Sequence, residues 1–168
     1  MDNKKLTDTL LAASNYSSIN ATEFVQAYIE KLVFDIVTYV DDSISVGRIE
    51  ILDSYVGKNE LSQEITGIPS AFSSVDGSSF ALTSFAEKYS HLGITEFDVL
   101  AREAIVDFLN LHNGLFVVDL SRSNICELSL TAPKQSGNYS IDNATYKSIT
   151  VIPVIFSFGT IKFLLCEL

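Results

Sequence analysis

Residues 96–120 contain no proline and only one glycine, Gly114, and so long a stretch without a breaker is predicted to form one continuous helix that Thr95 begins. On the helical projection Ile105, Phe108, Leu109, His112 and Phe116 cluster on one side, the side that packs against the rest of the fold. Glu103, Asp107 and Asn110 stand at i, i+4 and i+7 and fall on the opposite side, within a stripe roughly 60° wide at about 100° per residue. That polar stripe is predicted to face outward. By spacing alone, two acids and an amide in a row describe a solvated helix face.

Other segments supply what this helix packs on. Asn20 followed by Glu23 has the form of a capping box, and Phe24, Tyr28, Leu32, Val33, Ile36 and Val40 then recur at helical spacing, which predicts a second long helix ending near Asp41. β-Branched runs at 44–51 and 65–72 predict two strands with a mostly polar run, 57–64, between them, and Pro69 makes the second an edge strand or a bulged one. Residues 73–79 are predicted as a loop and 80–89 as a shorter helix, with Phe80, Ala81, Phe85 and Tyr89 inward and Gly93 at its exit. Cys126, Leu128 and Leu130 alternate with polar residues as a half-wet strand does, 133–143 reads as a polar turn, and the apolar runs 146–158 and 161–168 around Gly159 predict a closing hairpin. Residues 1–18 lack sustained periodicity and are expected as a mobile arm or a frayed leading helix, leaving 19–168 as a single domain. The predicted class is α/β of the α+β kind, a two-layer sandwich of long helices packed on an antiparallel-rich β-sheet.

At 168 residues, with 47% hydrophobic and 19% charged residues, the chain has the makeup of one ordinary globular domain. A formal charge of −10 argues against nucleic acid and against anionic membrane surfaces as partners. No apolar run reaches the roughly 20 residues of a spanning helix. Asp8 and Asn15 interrupt any signal-peptide core after Lys4 and Lys5, so a cytoplasmic location is expected. Cys126 and Cys166 lie in apolar strand-like runs and are expected as small buried hydrophobes. His112 projects among core residues and points to packing or capping rather than catalysis, while His91 stands near a helix end, where a capping or cationic role suffices. Glu103 and Asp107 could share a cation, but no third ligand follows at ligand spacing, so no metal of the protein's own is expected. Val75, Gly77 and Ser79 do not make a glycine-rich phosphate loop.

Pro133 follows Asn110 after 22 intervening residues, at the end of the strand that comes after the helix. The set Glu103, Asp107, Asn110 and Pro133 resembles the signature of the CheC, CheX and FliY phosphatase family, which reads Asp or Ser, three residues, Glu, two residues, Asn, then 22 residues and Pro. The surroundings are also similar, from the long N-terminal helix to the closing apolar hairpin, so the resemblance spans residues 20–168 loosely. One copy of the motif is present: Glu30 is followed three residues later by Val33 and Glu87 by Ser90, so neither other helix offers the asparagine. A single copy resembles CheX, whereas CheC-like members carry two.

The resemblance implies a CheX-like fold and a phosphatase acting on the aspartyl phosphate of a CheY-like receiver domain in chemotaxis or two-component signalling. It implies that Asn110 and Asp107 are the catalytic pair, Asn110 orienting a water in line with the phosphoryl group and Asp107 gripping a receiver lysine. Glu103 would join Asp107 in receiver docking, Pro133 would be a structural member, and no cofactor of its own is needed because the receiver's divalent metal, Mg, balances the developing charge. It also implies a homodimer. Asp107 is one methylene shorter than the family's Glu, and Glu103 is longer than the family's Asp or Ser, so that it either crowds the docking surface or reaches a basic residue. The rival reading is a catalytically impaired relative that keeps the fold for dimerisation or receiver binding.

Overall fold

The computed structural model describes residues 2–123 and 127–168. The chain runs through α1 (Asn3–Ala12), a single 3-10 turn (Tyr16–Ser18), α2 (Glu23–Tyr39), β1 (Ser45–Val46), β2 (Glu50–Leu52), β3 (Ser54–Gly57), β4 (Glu60–Thr66) and β5 (Ala71–Asp76). It continues through α3 (Ser79–Ser90), α4 (Val99–Ser123), β6 (Ser129–Leu130), β7 (Lys134–Ser136), β8 (Tyr139–Asp142), β9 (Ser148–Phe156) and β10 (Gly159–Glu167). The main sheet has the order β1-β9-β10-β5-β4-β6, with β2 also pairing β9 and β7 also pairing β4. Every strand pair among the described residues is antiparallel, including the separate β3–β8 ribbon. The expected class, long helices on an antiparallel sheet, is the class observed.

Alternation along β9 and β10 builds two faces. Ile152, Val154, Phe156, Ile161, Phe163 and Leu165 point to the helices and join Leu32, Ile36, Phe85, Ile105, Phe108 and Leu109 in one core. The other face of those strands presents Ile149, Val151, Leu164 and Cys166, covered by Ile141, Tyr55 and Tyr139 of the β3–β8 ribbon. Gly159 closes the hairpin at φ 137, a conformation a side chain rarely adopts, and pairs with Phe156 across the turn. Cys166 is a free, buried thiol whose pKa burial pushes up to about 12, which makes it the inert hydrophobe expected. The reading of Cys126 falls outside the described residues.

Of the arm and the leading helix expected at residues 1–18, a helix forms at Asn3–Ala12: Asp2 Oδ1 accepts from Lys5 N at 2.8 Å, and Leu11 and Thr7 are buried. Several other local expectations need correction. The cap of α2 is Thr22, not Asn20, with Oγ1 accepting from Val25 N at 3.3 Å. Phe80 is 70% exposed rather than inward, because Ser78 caps α3 and turns Ala81, Leu82 and Phe85 to the core instead. The largest shift concerns 57–79. The expected strand 65–72 is the tip of a hairpin, with Pro69 in the turn after a cis Ile68–Pro69 bond, while the polar run before it and the expected loop after it are β4 and β5. Ser62, Gln63, Ser73 and Ser74 are buried there, and a buried polar row defeats hydrophobic periodicity. Residues 133–143 likewise hold β7 and β8 rather than a plain turn.

His112 is packed, as its projection indicated. It is fully buried on α4 with Nδ1 2.7 Å from Asp35 Oδ2 of α2, and its ring meets Tyr28 and Phe108. Asp35 also pairs with Lys31 at 3.1 Å. Burial lowers the His112 pKa below its ordinary 6.5 despite the upward pull of Asp35, and Lys31 adds to the lowering. The neutral ring therefore donates Nδ1–H to Asp35. A folded-state pKa below the unfolded one means that the unfolded chain takes up a proton near pH 6.5 that the folded chain refuses, so this group's contribution, full above that pH, is lost as pH falls. Urea midpoints at pH 7.5 and 5.5 test this: the wild type is expected to lose more stability over that interval than His112→Gln, and equal losses would contradict it.

Candidate functional site

α4 begins where Asp98 Oδ1 accepts from Ala101 N at 3.0 Å, one residue past the loop that His91 opens in the left-handed region at φ 56 and Gly93 continues at φ 74. This start sets the helix phase. Ile105, Phe108, Leu109, His112 and Phe116 are buried, and Glu103, Asp107 and Asn110 are exposed on the opposite side. Phe108 anchors the helix, with its ring 5.3 Å from Phe85 of α3 and 6.2 Å from Phe163 of β10.

The polar stripe does not face open water alone. Glu103, Asp107, Asn110 and Pro133 all line one open groove of about 700 Å³, whose apolar wall includes Tyr39, Leu92 and Leu100. Pro133 reaches it because β7 pairs with β4, Lys134 opposite Ser62, which brings the segment just before β7 beside α4. Pro133 itself forms part of the groove wall and has no N–H to leave unpaired there.

Each side chain of the polar stripe has a partner within the chain. Tyr89 Oη donates to Asp107 Oδ2 at 2.8 Å, and Gln135 Nε2 of β7 donates to Glu103 Oε1 at 3.0 Å. Burial raises the Tyr89 pKa, with the Asp107 bond and charge adding to it, so Tyr89 stays a phenol and a donor. Gln63 Nε2 of β4 donates to Asn110 Oδ1 at 2.7 Å and to Thr131 O at 2.9 Å. Behind it, Asn113 Nδ2 donates to Gln63 Oε1 at 3.0 Å and to Ser73 Oγ at 2.9 Å, and Tyr28 Oη donates to Asn113 Oδ1 at 3.2 Å. Within the chain Glu103 thus meets a neutral amide.

The groove carries two carboxylates and no basic residue among its described lining, so it suits a partner that brings a cation. Among the described residues no three His, Cys, Asp or Glu side chains are grouped to hold a metal, and no helix is long and apolar enough to cross a membrane. Spacing along the sequence does not mark Gln63, Tyr89 or Gln135 as neighbours of this stripe, although the fold brings them and Asn113 to it. Only Asn113 left a signal, an amide one turn beyond Asn110 on the side that packs, where a buried polar group demands partners.

No protein-family model matches the chain, and no curated protein matches it. Solved structures do. A CheC-like superfamily protein from Shewanella sp. PV-4 shares 14% identity at a TM-score of 0.73, over 89% of this chain and 99% of that one. The chemotaxis protein CheX from Vibrio vulnificus shares 13% identity at a TM-score of 0.71, over 88% and 100%. A CheX from Borrelia burgdorferi, solved in complex with CheY, BeF3 and Mg, shares 12% identity at a TM-score of 0.60, over 88% and 99%. With its helices laid on one antiparallel sheet along nearly the full length of these chains, this protein has the CheX-like fold.

Proposed function

We propose that this protein is a phosphatase for the aspartyl phosphate of a CheY-like receiver domain, acting in the cytoplasm in chemotaxis or a related two-component response. The observation that carries the reading is the convergence of Glu103, Asp107, Asn110 and Pro133 on one groove, with the Asn110 carboxamide at its surface. A protruding amide suits this chemistry because it has both donor and acceptor for a water. Asn110 enters the receiver's site and holds that water in line with phosphorus. The water's oxygen bonds to phosphorus as the bond to the receiver's carboxylate oxygen breaks, giving inorganic phosphate and free aspartate. No phosphoryl group passes to this chain. The receiver's own divalent metal supplies charge neutralisation at the phosphoryl oxygens. Holding the water is an orientation effect, and orientation alone can supply a large rate gain.

Asp107 grips a receiver lysine and keeps α4 in register, with Glu103 adding negative charge beside it. Opposite charges across such a docking face speed encounter and fix orientation. Asp107→Glu, which restores the longer acid, is expected to raise the dephosphorylation rate by about tenfold, within the ~10²-fold range that a 1 Å change in positioning spans. A fall would mean that the Tyr89 contact has fitted the groove to aspartate. The same reading carries a homodimer, for which light scattering at twice the chain's mass is the expected result. The decay of a phosphorylated receiver with and without this protein tests the proposal as a whole.

A second reading is favoured by the bonds Tyr89–Asp107 and Gln135–Glu103, which give both acids partners inside the chain. On that reading the protein binds receivers or dimerises without catalysing anything. Asn110 discriminates: a scaffold has no need of an exposed amide held in place, whereas catalysis depends on it.

A further inference from the structure

We infer that Gln63 is a positioning residue that sets which way the Asn110 carboxamide faces, an inference that rests on the phosphatase reading for its catalytic consequence but not for its geometry. Two backbone carbonyls, which can only accept hydrogen bonds, fix the orientation of these amides. Thr131 O lies 2.9 Å from one end of the Gln63 amide, so that end is the NH2 group. Thr131 is itself held to β4, its N–H donating to Glu64 O at 3.0 Å and its hydroxyl accepting from Glu64 N at 3.1 Å.

The second carbonyl is that of Gln63 itself. It accepts from Ser73 Oγ at 3.0 Å, which commits the Ser73 hydroxyl as a donor there and leaves its oxygen to accept from Asn113 Nδ2. Asn113 is thereby oriented too: its NH2 group faces Ser73 and Gln63 Oε1, and its Oδ1 faces the Tyr28 hydroxyl. Both hydrogens of Gln63 Nε2 and its Oε1 are engaged, and Gln63, Ser73, Asn113 and Tyr28 are all buried. Turning the Gln63 amide over would set its oxygen against Thr131 O and its NH2 against the Asn113 NH2, two repulsive contacts away from water.

Asn110 inherits this polarity. The second Nε2 hydrogen of Gln63 meets Asn110 Oδ1 at 2.7 Å, so the oxygen faces back to β4 and the Nδ2 hydrogens are left for the groove, together with one Oδ1 lone pair. Asn110 therefore meets a receiver with its donor end already forward rather than as a free rotor. Orientation fixed before binding acts on the chemical step, and docking by Asp107 does not depend on it.

Gln63→Met keeps length and removes the amide; Gln63→Glu keeps an acceptor for Asn113 and replaces the donor facing Asn110, and serves if the first variant is poorly folded. Turnover of a phosphorylated receiver and the order of the Asn110 side-chain amide by 15N relaxation would be measured together. The expected result is a fall in kcat of about tenfold or more with KM within about twofold, a more mobile or re-oriented Asn110 amide, and no further effect in an Asn110→Ala background, where the two changes share one function. An Asn110 amide that is unchanged in a folded variant, or a kcat that is unchanged, overturns the proposal. If the wild type turns over no receiver, the phosphatase reading falls while the relaxation measurement still decides the positioning.

Discussion

Asn110→Ala is expected to return receiver dephosphorylation to the receiver's own rate, a loss on the order of 10²-fold or more in what this protein adds, while the protein stays folded. The two halves of that expectation have separate causes. Asn110 is exposed, and the one described hydrogen bond of its side chain is to Gln63, which keeps Thr131 O as a partner after truncation. The stability cost is therefore about 1 kcal/mol, that of one hydrogen bond. The catalytic cost is large because alanine offers no donor or acceptor to a water. Circular dichroism and a urea titration check the first half, and phosphate release checks the second. A folded variant that retains wild-type acceleration would remove Asn110 from the mechanism.

The largest effect on stability is expected from Phe108→Ala, about 3–5 kcal/mol, which for a chain of this length lowers the melting temperature by roughly 6–20 °C. Phe108 lies one residue past Asp107 on α4 and is fully buried, with its ring meeting Phe85 at 5.3 Å, Tyr89 at 5.4 Å, His112 at 6.2 Å and Phe163 at 6.2 Å. Those neighbours come from α3, α4 and β10, so the cavity opens where three elements meet and cannot close by moving one side chain. The same ring supports Tyr89, whose hydroxyl holds Asp107, so the variant is also expected to bind receiver more weakly at temperatures where it remains folded. Thermal and urea unfolding measure the cost. A cost under about 1 kcal/mol would mean that α4 is seated by other contacts.

How far the sequence reads out depends on which interaction decides each element. α4 was legible because its phase rests on burial alone: Ile105, Phe108, Leu109 and Phe116 repeat at helical spacing and the acids avoid them. The closing hairpin β9–β10 was legible for the same reason, from apolar alternation around Gly159. The hairpin β4–β5 was not, because Ser62, Gln63, Ser73 and Ser74 are buried by hydrogen bonding rather than by hydrophobicity. Asn113, the partner of Gln63 and Ser73, lies 40 and more residues away in sequence, Ser74 meets Tyr139 from 65 residues away, and no local window contains both sides of such bonds. The candidate site divides in the same way. Glu103, Asp107 and Asn110 share a face by spacing and Pro133 joins them by the resemblance of the set to a family signature, whereas Tyr89, Gln135 and Gln63 join them only through folding.

The most direct test of the central claim is the decay of a phosphorylated chemotaxis receiver with its divalent metal, followed alone and with this protein far below the receiver concentration. Binding without catalysis cannot speed the decay of an excess of receiver, so the assay separates a phosphatase from a scaffold. The expected result is decay that accelerates in proportion to the amount of wild-type protein, through many turnovers, and does not accelerate with Asn110→Ala. Unchanged decay across several candidate receivers, with the wild type folded, would contradict the phosphatase and leave a receiver-binding or dimerisation module.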